Sequence, residues 1–481
     1  MHDLTKLSAT RLAQLIRDRE VTPRLVVDAH ISKIQAVNPQ LNAVVRERFN
    51  DARAEAQAAD DLVRTCAAEE LPVFHGVPCT IKECFAVEGM PQTGGVVARS
   101  HVVSTKDAIT VQRLRDAGAI PLGITNLSEG CMWMESSNKV YGRTNNPYDP
   151  TRMVGGSSGG EGAIVGAGAS PFGLGSDIGG SIRLPAFFNG VFGHKPSTGL
   201  VPSTGQWPIA ENEAMRFLCT GPIARRAEDL WPLLQVLRGP DGVDPVAETM
   251  ELGHPDDVDI SKLNIVYVPD NGTAITAELS EAHHAAIAAL QSMGANVREL
   301  RIDRFKKSFD IWSQLLGSAG DTSFRELIGK DGPAPLGREF LKMMLRRSNH
   351  TLPSLGLAFL EGLSFMVPDN PAPMVALADE LRAELEAEIG PNGVMLFPTF
   401  SRPAPRHNYA MLVPFHAAYT AIFNVLEMPS TAVPLGLSAT KGVPLGLQVV
   451  GTHGQDHLTI ATALALEKAL GGWIPPQSRK F

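Results

Sequence analysis

A glycine-dense stretch and one lysine in an apolar run are the parts of this sequence that could do chemistry. Between Gly155 and Gly199 lie 14 of the chain's 45 glycines, and among them stand Ser157, Ser158 and Ser181. Glycine at such density lets backbone approach a bound molecule and adopt positive φ. Upstream, Lys82 interrupts the apolar run Val77-Pro-Cys-Thr-Ile-Lys-Glu-Cys-Phe85. A lysine there is edge-exposed, paired with Glu83, or held inward, where loss of water favours the neutral amine and makes it a base.

Three chemistries use loops of this kind. Phosphate binding is the weakest fit, because Gly156-Ser-Ser-Gly-Gly-Glu-Gly162 lacks the lysine of a P-loop and Gly173 to Gly179 misses the dinucleotide spacing by one residue. A nucleophile elbow would use Gly156-Ser-Ser158-Gly-Gly160 with Ser158 at its centre. The preceding Asn145 to Arg152, however, reads as a proline-bearing loop and not as the strand an elbow requires. The third chemistry needs neither histidine nor metal: a serine nucleophile, a relaying serine and a neutral lysine, with backbone N–H groups holding the oxyanion. Ser181 follows Gly179-Gly180 and precedes Ile182-Arg183-Leu184-Pro185, a turn opening a helix. There the free N–H groups of residues 178–181 can converge on one oxygen.

The elements that must position these groups alternate in type. Apolar spacing predicts helices within 5–37, with Pro23 opening the second, a short strand over Val77 to Phe85, a helix over Asp107 to Ala117, and a strand over Ala119 to Ile124. A second strand–helix–strand unit runs from Leu263 to Val268, through Glu278 to Met293, to Val297. A proline- and aspartate-rich linker covers 238–262, residues 310–376 read as apolar helices, and strands return at Val394 to Phe397, Ser430 to Val433 and Leu445 to Val450. This order predicts an α/β fold built on a mixed sheet. His283 and His284 fall on a helix predicted to be exposed, adjacent and not at the spacing of a metal pair, and His194 reads as structural.

Composition narrows the function further. The formal charge is -8, from 43 basic and 51 acidic residues, with no basic tract, which argues against nucleic acid as a ligand. Five scattered cysteines without CxxC spacing give no metal site and fit a reducing, cytoplasmic setting. No apolar stretch reaches the ~18 residues of a membrane span, so no stable membrane anchor is expected. No cofactor is implied.

The run Val77 to Lys82, the segment Gly155-Gly-Ser-Ser-Gly-Gly160 and the segment Gly175-Ser-Asp-Ile-Gly-Gly-Ser181-Ile-Arg183 together closely resemble the amidase signature family. Pro185 to Gly190, Gly193 to Pro196, Gly123 to Asn126 and Cys131 to Asn138 are most similar to its fatty-acid amide hydrolase branch. The likeness is strongest over about 70–240 and fades over about 300–390. It implies a large mixed β-sheet core covered by helices on both faces. By motif it assigns Ser181 as nucleophile, Ser157 as the bridging serine on a cis peptide and Lys82 as base, with the N–H groups of Ile178, Gly179, Gly180 and Ser181 as oxyanion hole. Ser158 is assigned support near the nucleophile, and the carbonyl of Cys131 the orientation of Lys82 or Ser157. Asp177 and Arg183 are expected to pair and brace the turn.

The resemblance further implies an N-terminal helical segment over 1–70, a catalytic core over 71–240, its α/β continuation over 241–309, a variable helical insertion over 310–390 near the substrate entrance, and the rest of the core over 391–481. The expected activity is a serine amidohydrolase acting on small-molecule amides of apolar or aryl acids, with a homodimer as the oligomer the family allows. A carbamate or ester hydrolase and a glutaminase-type component of an amidotransferase complex stay open, although Phe187 to Lys195 and Glu161 look less like the glutaminase branch. The series Leu352, Leu355, Leu357, Phe359, Leu360, Leu363, Phe365 and Met366, with Met343 and Met344, suits either helix packing or an apolar acyl pocket.

Overall fold

The computed structural model describes residues 3–362 and 370–477. Leu363, Phe365 and Met366 lie outside the described residues. The strands are β1 (Val44–Glu47), β2 (Pro78–Lys82), β3 (Ile120–Thr125), β4 (Ser137–Asn138), β5 (Gly142–Arg143), β6 (Phe172–Asp177) and β7 (Phe192–Lys195). They continue with β8 (Cys219–Ala224), β9 (Asn264–Tyr267), β10 (Asn296–Glu299), β11 (Gly393–Phe397), β12 (Ser430–Leu437) and β13 (Pro444–Val450). Among the described residues, β4 and β5 form a small ribbon and the other 11 strands form one sheet in the order β1-β3-β2-β6-β8-β7-β12-β13-β11-β9-β10. It is mixed: β3, β2 and β6 run parallel, as do β11, β9 and β10, while the strands between them are antiparallel.

Strand side chains alternate between faces, and here both faces are covered. Along β11, Val394 and Leu396 join one apolar layer while Met395 and Phe397 join another. The first layer is closed by the helices Ile109–Asp116, Leu230–Leu237 and Asp456–Leu470 through Leu114, Leu233 and Leu466. The opposite face is closed by the helices Gly159–Gly166, Ala372–Ile389 and Ala418–Val425 through Ile164, Leu381 and Ile422. Double coverage is why these strands read as continuous apolar runs.

The N-terminal helices Ala9–Arg17 and Pro23–Leu41 start where Ser8 and Thr22 accept the backbone N–H groups of Arg11 and Leu25, with Pro23 at the first turn. Asp229, 220 residues from Ala9, accepts the Ala9 and Thr10 N–H groups and anchors the first helix to the body. The linker holds two short 3-10 turns, Pro255–Asp257 and Ile260–Lys262. Helices dominate the next stretch: Ser308–Ser318, Leu336–Met344, Leu352–Glu361 and Ala372–Ile389. Of its apolar series, Leu355 is buried, while Leu352, Phe359, Leu360 and Met344 are exposed. Among the described residues no helix is long and apolar enough to cross a membrane.

One expectation fails. His283 is fully buried on the helix Ala277–Ser292, its Nε2 3.0 Å from the Gly446 carbonyl, while His284 stays outside. Burial holds the His283 imidazole down to about 4. Its position four residues after Leu279 and three before Ala286 is the inward stripe of that helix.

Candidate active site

The pairing of β2 with β6 decides what meets Lys82. Thr80 lies opposite Gly173 and Ile81 opposite Leu174, so the end of β2 reaches the end of β6. Lys82 is wholly buried, and its Nζ donates to the Ser157 hydroxyl at 2.7 Å and the Ser176 hydroxyl at 2.8 Å. The alternatives for this lysine are thereby excluded, since Glu83 instead accepts from Thr93, Gly94 and Tyr141.

Ser157 stands on a cis peptide after Gly156, in the turn before the helix Gly159–Gly166. A loop over 128–136 packs against that turn: the Ser157 carbonyl accepts from the Ser136 hydroxyl at 3.1 Å and the Ser128 N–H at 3.3 Å. Gly156 is required by close approach, because a Cβ there would lie 2.3 Å from the Trp133 carbonyl oxygen. Two buried acid–histidine contacts pin the same loop, Glu129 with His350 at 2.7 Å and Glu135 with His407 at 2.5 Å. The first joins it to the helical region over 310–390 and the second to the C-terminal part of the chain.

Ser181 lies in the turn between β6 and the helix Arg183–Asn189. At 8% exposure it is the most accessible of the three, against 1% for Ser157 and 0% for Lys82. The structure joins Lys82 to Ser157 directly; among the described residues the Ser181 hydroxyl has no hydrogen-bond partner. Ser158 ties the two serine turns together, its N–H donating to the Ser181 carbonyl at 3.2 Å. The Ser158 hydroxyl is fully buried against the Ser176 carbonyl, and no strand leads into it, which removes the elbow reading.

Backbone around Ser181 is held by a buried ion pair. Asp177 and Arg183 meet at 3.0 Å with both side chains at 0% exposure. Burial alone would raise the Asp177 pKa, but the Arg183 guanidinium holds it well below the usual carboxylate range. Arg183 also donates to Asn424, Gln448 and the Thr420 carbonyl, satisfying a charge that would be costly alone. The Asp177 carboxylate takes the Gly180 N–H at 2.6 Å. This corrects one expected donor: the N–H groups left without a protein acceptor, among the described residues, are those of Ile178, Gly179 and Ser181.

Cys131 differs from expectation as well. Both hydrogen bonds of Lys82 go to serine hydroxyls, so the Cys131 carbonyl orients neither group. The Cys131 thiol is held below the ordinary thiol range, chiefly through its interaction with the Cys84 thiol and against the opposing effect of burial. Sequence reasoning missed Ser176, whose cue was its place directly after Gly175 at the end of β6, and also Trp312 and Thr420. Trp312 Nε1 donates to the Ile178 carbonyl at 2.9 Å, and the Thr420 hydroxyl to the Gly179 carbonyl at 2.8 Å.

Glu161 is a buried acid beneath the same strands. Its carboxyl accepts the Thr80 hydroxyl at 2.6 Å and the Thr125 hydroxyl at 2.8 Å. Burial pushes it up to about 8, from an ordinary 4.5. The folded chain therefore binds one more proton than the unfolded chain between these values, and stability falls as pH rises through that window. Glu161→Gln is expected to flatten the decline of thermal stability between pH 4.5 and about 8. Thermal unfolding across that range checks it, and a profile parallel to the parent's would contradict the assignment.

Among the described residues, no group of three or more His, Cys, Asp or Glu is gathered to hold a metal ion. The site can instead move protons between an amine and hydroxyls beside three unoccupied N–H donors.

Comparison with known proteins finds relatives over nearly the whole chain. The chain matches the Amidase family over residues 25–460. It is 46% identical to Fatty-acid amide hydrolase 2-A of Danio rerio, covering 98% of this chain and 90% of that protein. Against Fatty-acid amide hydrolase 2 of Homo sapiens the identity is 43%, covering 98% and 91%. The solved structure of 6-aminohexanoate cyclic dimer hydrolase, in complex with its substrate, superposes with a TM-score of 0.80 at 27% identity, covering 99% of each chain. Family match, identity over nearly the whole length and the shared fold agree: this chain is a hydrolase belonging to the amidase signature family.

Proposed function

We propose that this protein hydrolyses amides of long apolar carboxylic acids through an acyl-enzyme on Ser181. The observation that carries the reading is the buried Lys82–Ser157 hydrogen bond of 2.7 Å beside the glycine turn that presents Ser181. In this mechanism neutral Lys82 accepts the Ser157 proton as Ser157 accepts that of Ser181, whose oxygen attacks the amide carbonyl. The contact between the two serines closes with substrate bound, as catalytic hydrogen bonds commonly do. The N–H groups of Ile178, Gly179 and Ser181 receive the oxyanion. Ser157 then passes its proton to the leaving amine as the C–N bond breaks and regains one from Lys82; water, giving its proton to the same Ser157–Lys82 relay, attacks the acyl-enzyme, and the relay returns that proton to Ser181 as the acid leaves.

Two observations favour an apolar acyl group. The relatives named fatty-acid amide hydrolases share 42–46% identity with this chain, whereas those named for a role in glutamyl-tRNA(Gln) amidotransferase share 28–29%. The ring of Trp312 also lies against Gly179, next to Phe309, which in turn stacks edge-on with the exposed Phe415. An aromatic wall beside the nucleophile suits a hydrocarbon chain.

Treatment with a fluorophosphonate, followed by peptide mapping, and a panel of acyl p-nitroanilides of increasing length test both parts. The expected result is an adduct on Ser181 and kcat/KM rising with chain length. An adduct elsewhere would overturn the nucleophile, and a preference for the shortest acyl groups would overturn the substrate class.

A further inference from the structure

The oxyanion donors are backbone groups, and a backbone N–H points where its peptide plane lets it point. In each plane the N–H lies antiparallel to the carbonyl of the preceding residue, so holding that carbonyl aims the N–H the other way. The Gly179 N–H shares its plane with the Ile178 carbonyl, which Trp312 Nε1 holds at 2.9 Å. The Ser181 N–H shares its plane with the Gly180 carbonyl, which the Leu184 N–H holds at 2.8 Å. Thr420 holds the plane between them through the Gly179 carbonyl at 2.8 Å.

Resting on the acyl-enzyme reading above, we propose that Trp312 is a positioning residue for transition-state stabilisation, aiming the Gly179 N–H at the oxyanion. Two features separate this role from plain packing. The indole N–H is an unshared donor with one acceptor, and that acceptor is the carbonyl whose orientation matters. The ring also closes the space over Gly179, where a Cβ would lie 3.0 Å from Trp312 Cζ2, so the glycine and the indole fit as a matched pair. Trp312 comes from the helix Ser308–Ser318, at the start of the region where likeness to the family fades. The segment that walls the candidate acyl site thus also sets the electrostatics of the reacting carbonyl.

The test uses the whole protein with Trp312→Phe, which keeps a ring and removes the donor. Removing an oxyanion-hole donor outright costs about 10²–10³ in kcat, and releasing one from its orientation is expected to cost about tenfold. KM for a medium-chain acyl p-nitroanilide should stay within about twofold, as expected for an interaction made only in the transition state. Affinity for a trifluoromethyl ketone of the same chain, which becomes an oxyanionic hemiketal on serine, should fall by the same factor as kcat. Unchanged kcat and ketone affinity would overturn the proposal, as would a rise in KM with kcat preserved, since that marks a wall and not an aim. If Trp312→Phe unfolds at lower temperature, kcat and ketone affinity are compared at a temperature where both proteins are fully folded. The same kcat loss is required there, and normal turnover would overturn the scheme. Fluorophosphonate labelling of Ser181 in the parent separates the two levels: absence of that adduct sinks the acyl-enzyme reading and this proposal with it, whereas labelling with an indifferent variant sinks the proposal alone.

Discussion

Ser181→Ala is expected to lower kcat for amide hydrolysis by about 10⁴-fold or more while leaving the folded protein intact. The size follows from the acyl-enzyme reading proposed above, in which the variant lacks the attacking oxygen and keeps only the N–H donors and substrate binding. The intact fold follows from the surroundings. The Ser181 hydroxyl has no hydrogen-bond partner among the described residues, and the residue's backbone is held by Ser158 and by the Asp177–Arg183 pair. Deleting one unbonded oxygen strands no buried group, the usual source of large destabilisation. Turnover, thermal unfolding and fluorophosphonate labelling, measured on one preparation, check the result. Hydrolysis near the parental rate would remove Ser181 from the mechanism, and lost activity with an altered melting curve would make the loss structural.

Lys82→Ala is expected to lower kcat/KM by about 10²–10⁴-fold, the usual contribution of a positioned general base. Its pH dependence carries the diagnosis. Without a resident base, proton removal falls to water and hydroxide, so the deficit is deepest on the acid side and shrinks as pH rises. Truncation also opens a cavity at a fully buried position and leaves the Ser157 and Ser176 hydroxyls without their common donor. Lys82→Met separates these effects, because it refills the volume without an amine. Equal losses in both variants assign the effect to proton transfer, whereas recovery in Lys82→Met would assign it to packing.

The sheet was legible where a strand is buried on both faces, since such a strand reads as an apolar run between turn residues; β3 and β13 are of this kind. The serine turns were legible through local motifs. What stayed hidden is what is joined across the chain. Trp312 reaches a carbonyl 134 residues away, and a bond to backbone leaves no mark on the residue that accepts it. The occupied N–H of Gly180 was hidden for a related reason: a motif lists candidate donors, but the Asp177 carboxylate three residues earlier in the same motif takes one of them. His283 was misread although its cue was local. Two adjacent histidines look solvated as a pair, but a helix turns by about 100° between neighbours, and one of the two had to face the sheet.

The ion pair that braces the Ser181 turn also sets when that turn can be completed during synthesis. Arg183 is complete only when it meets Gln448, 265 residues later in the chain. At about 5–20 residues/s of synthesis, Ser181 waits on the order of tens of seconds before the partner of its brace exists. During translation the Ser181 turn thus precedes by 265 residues the glutamine that completes its brace.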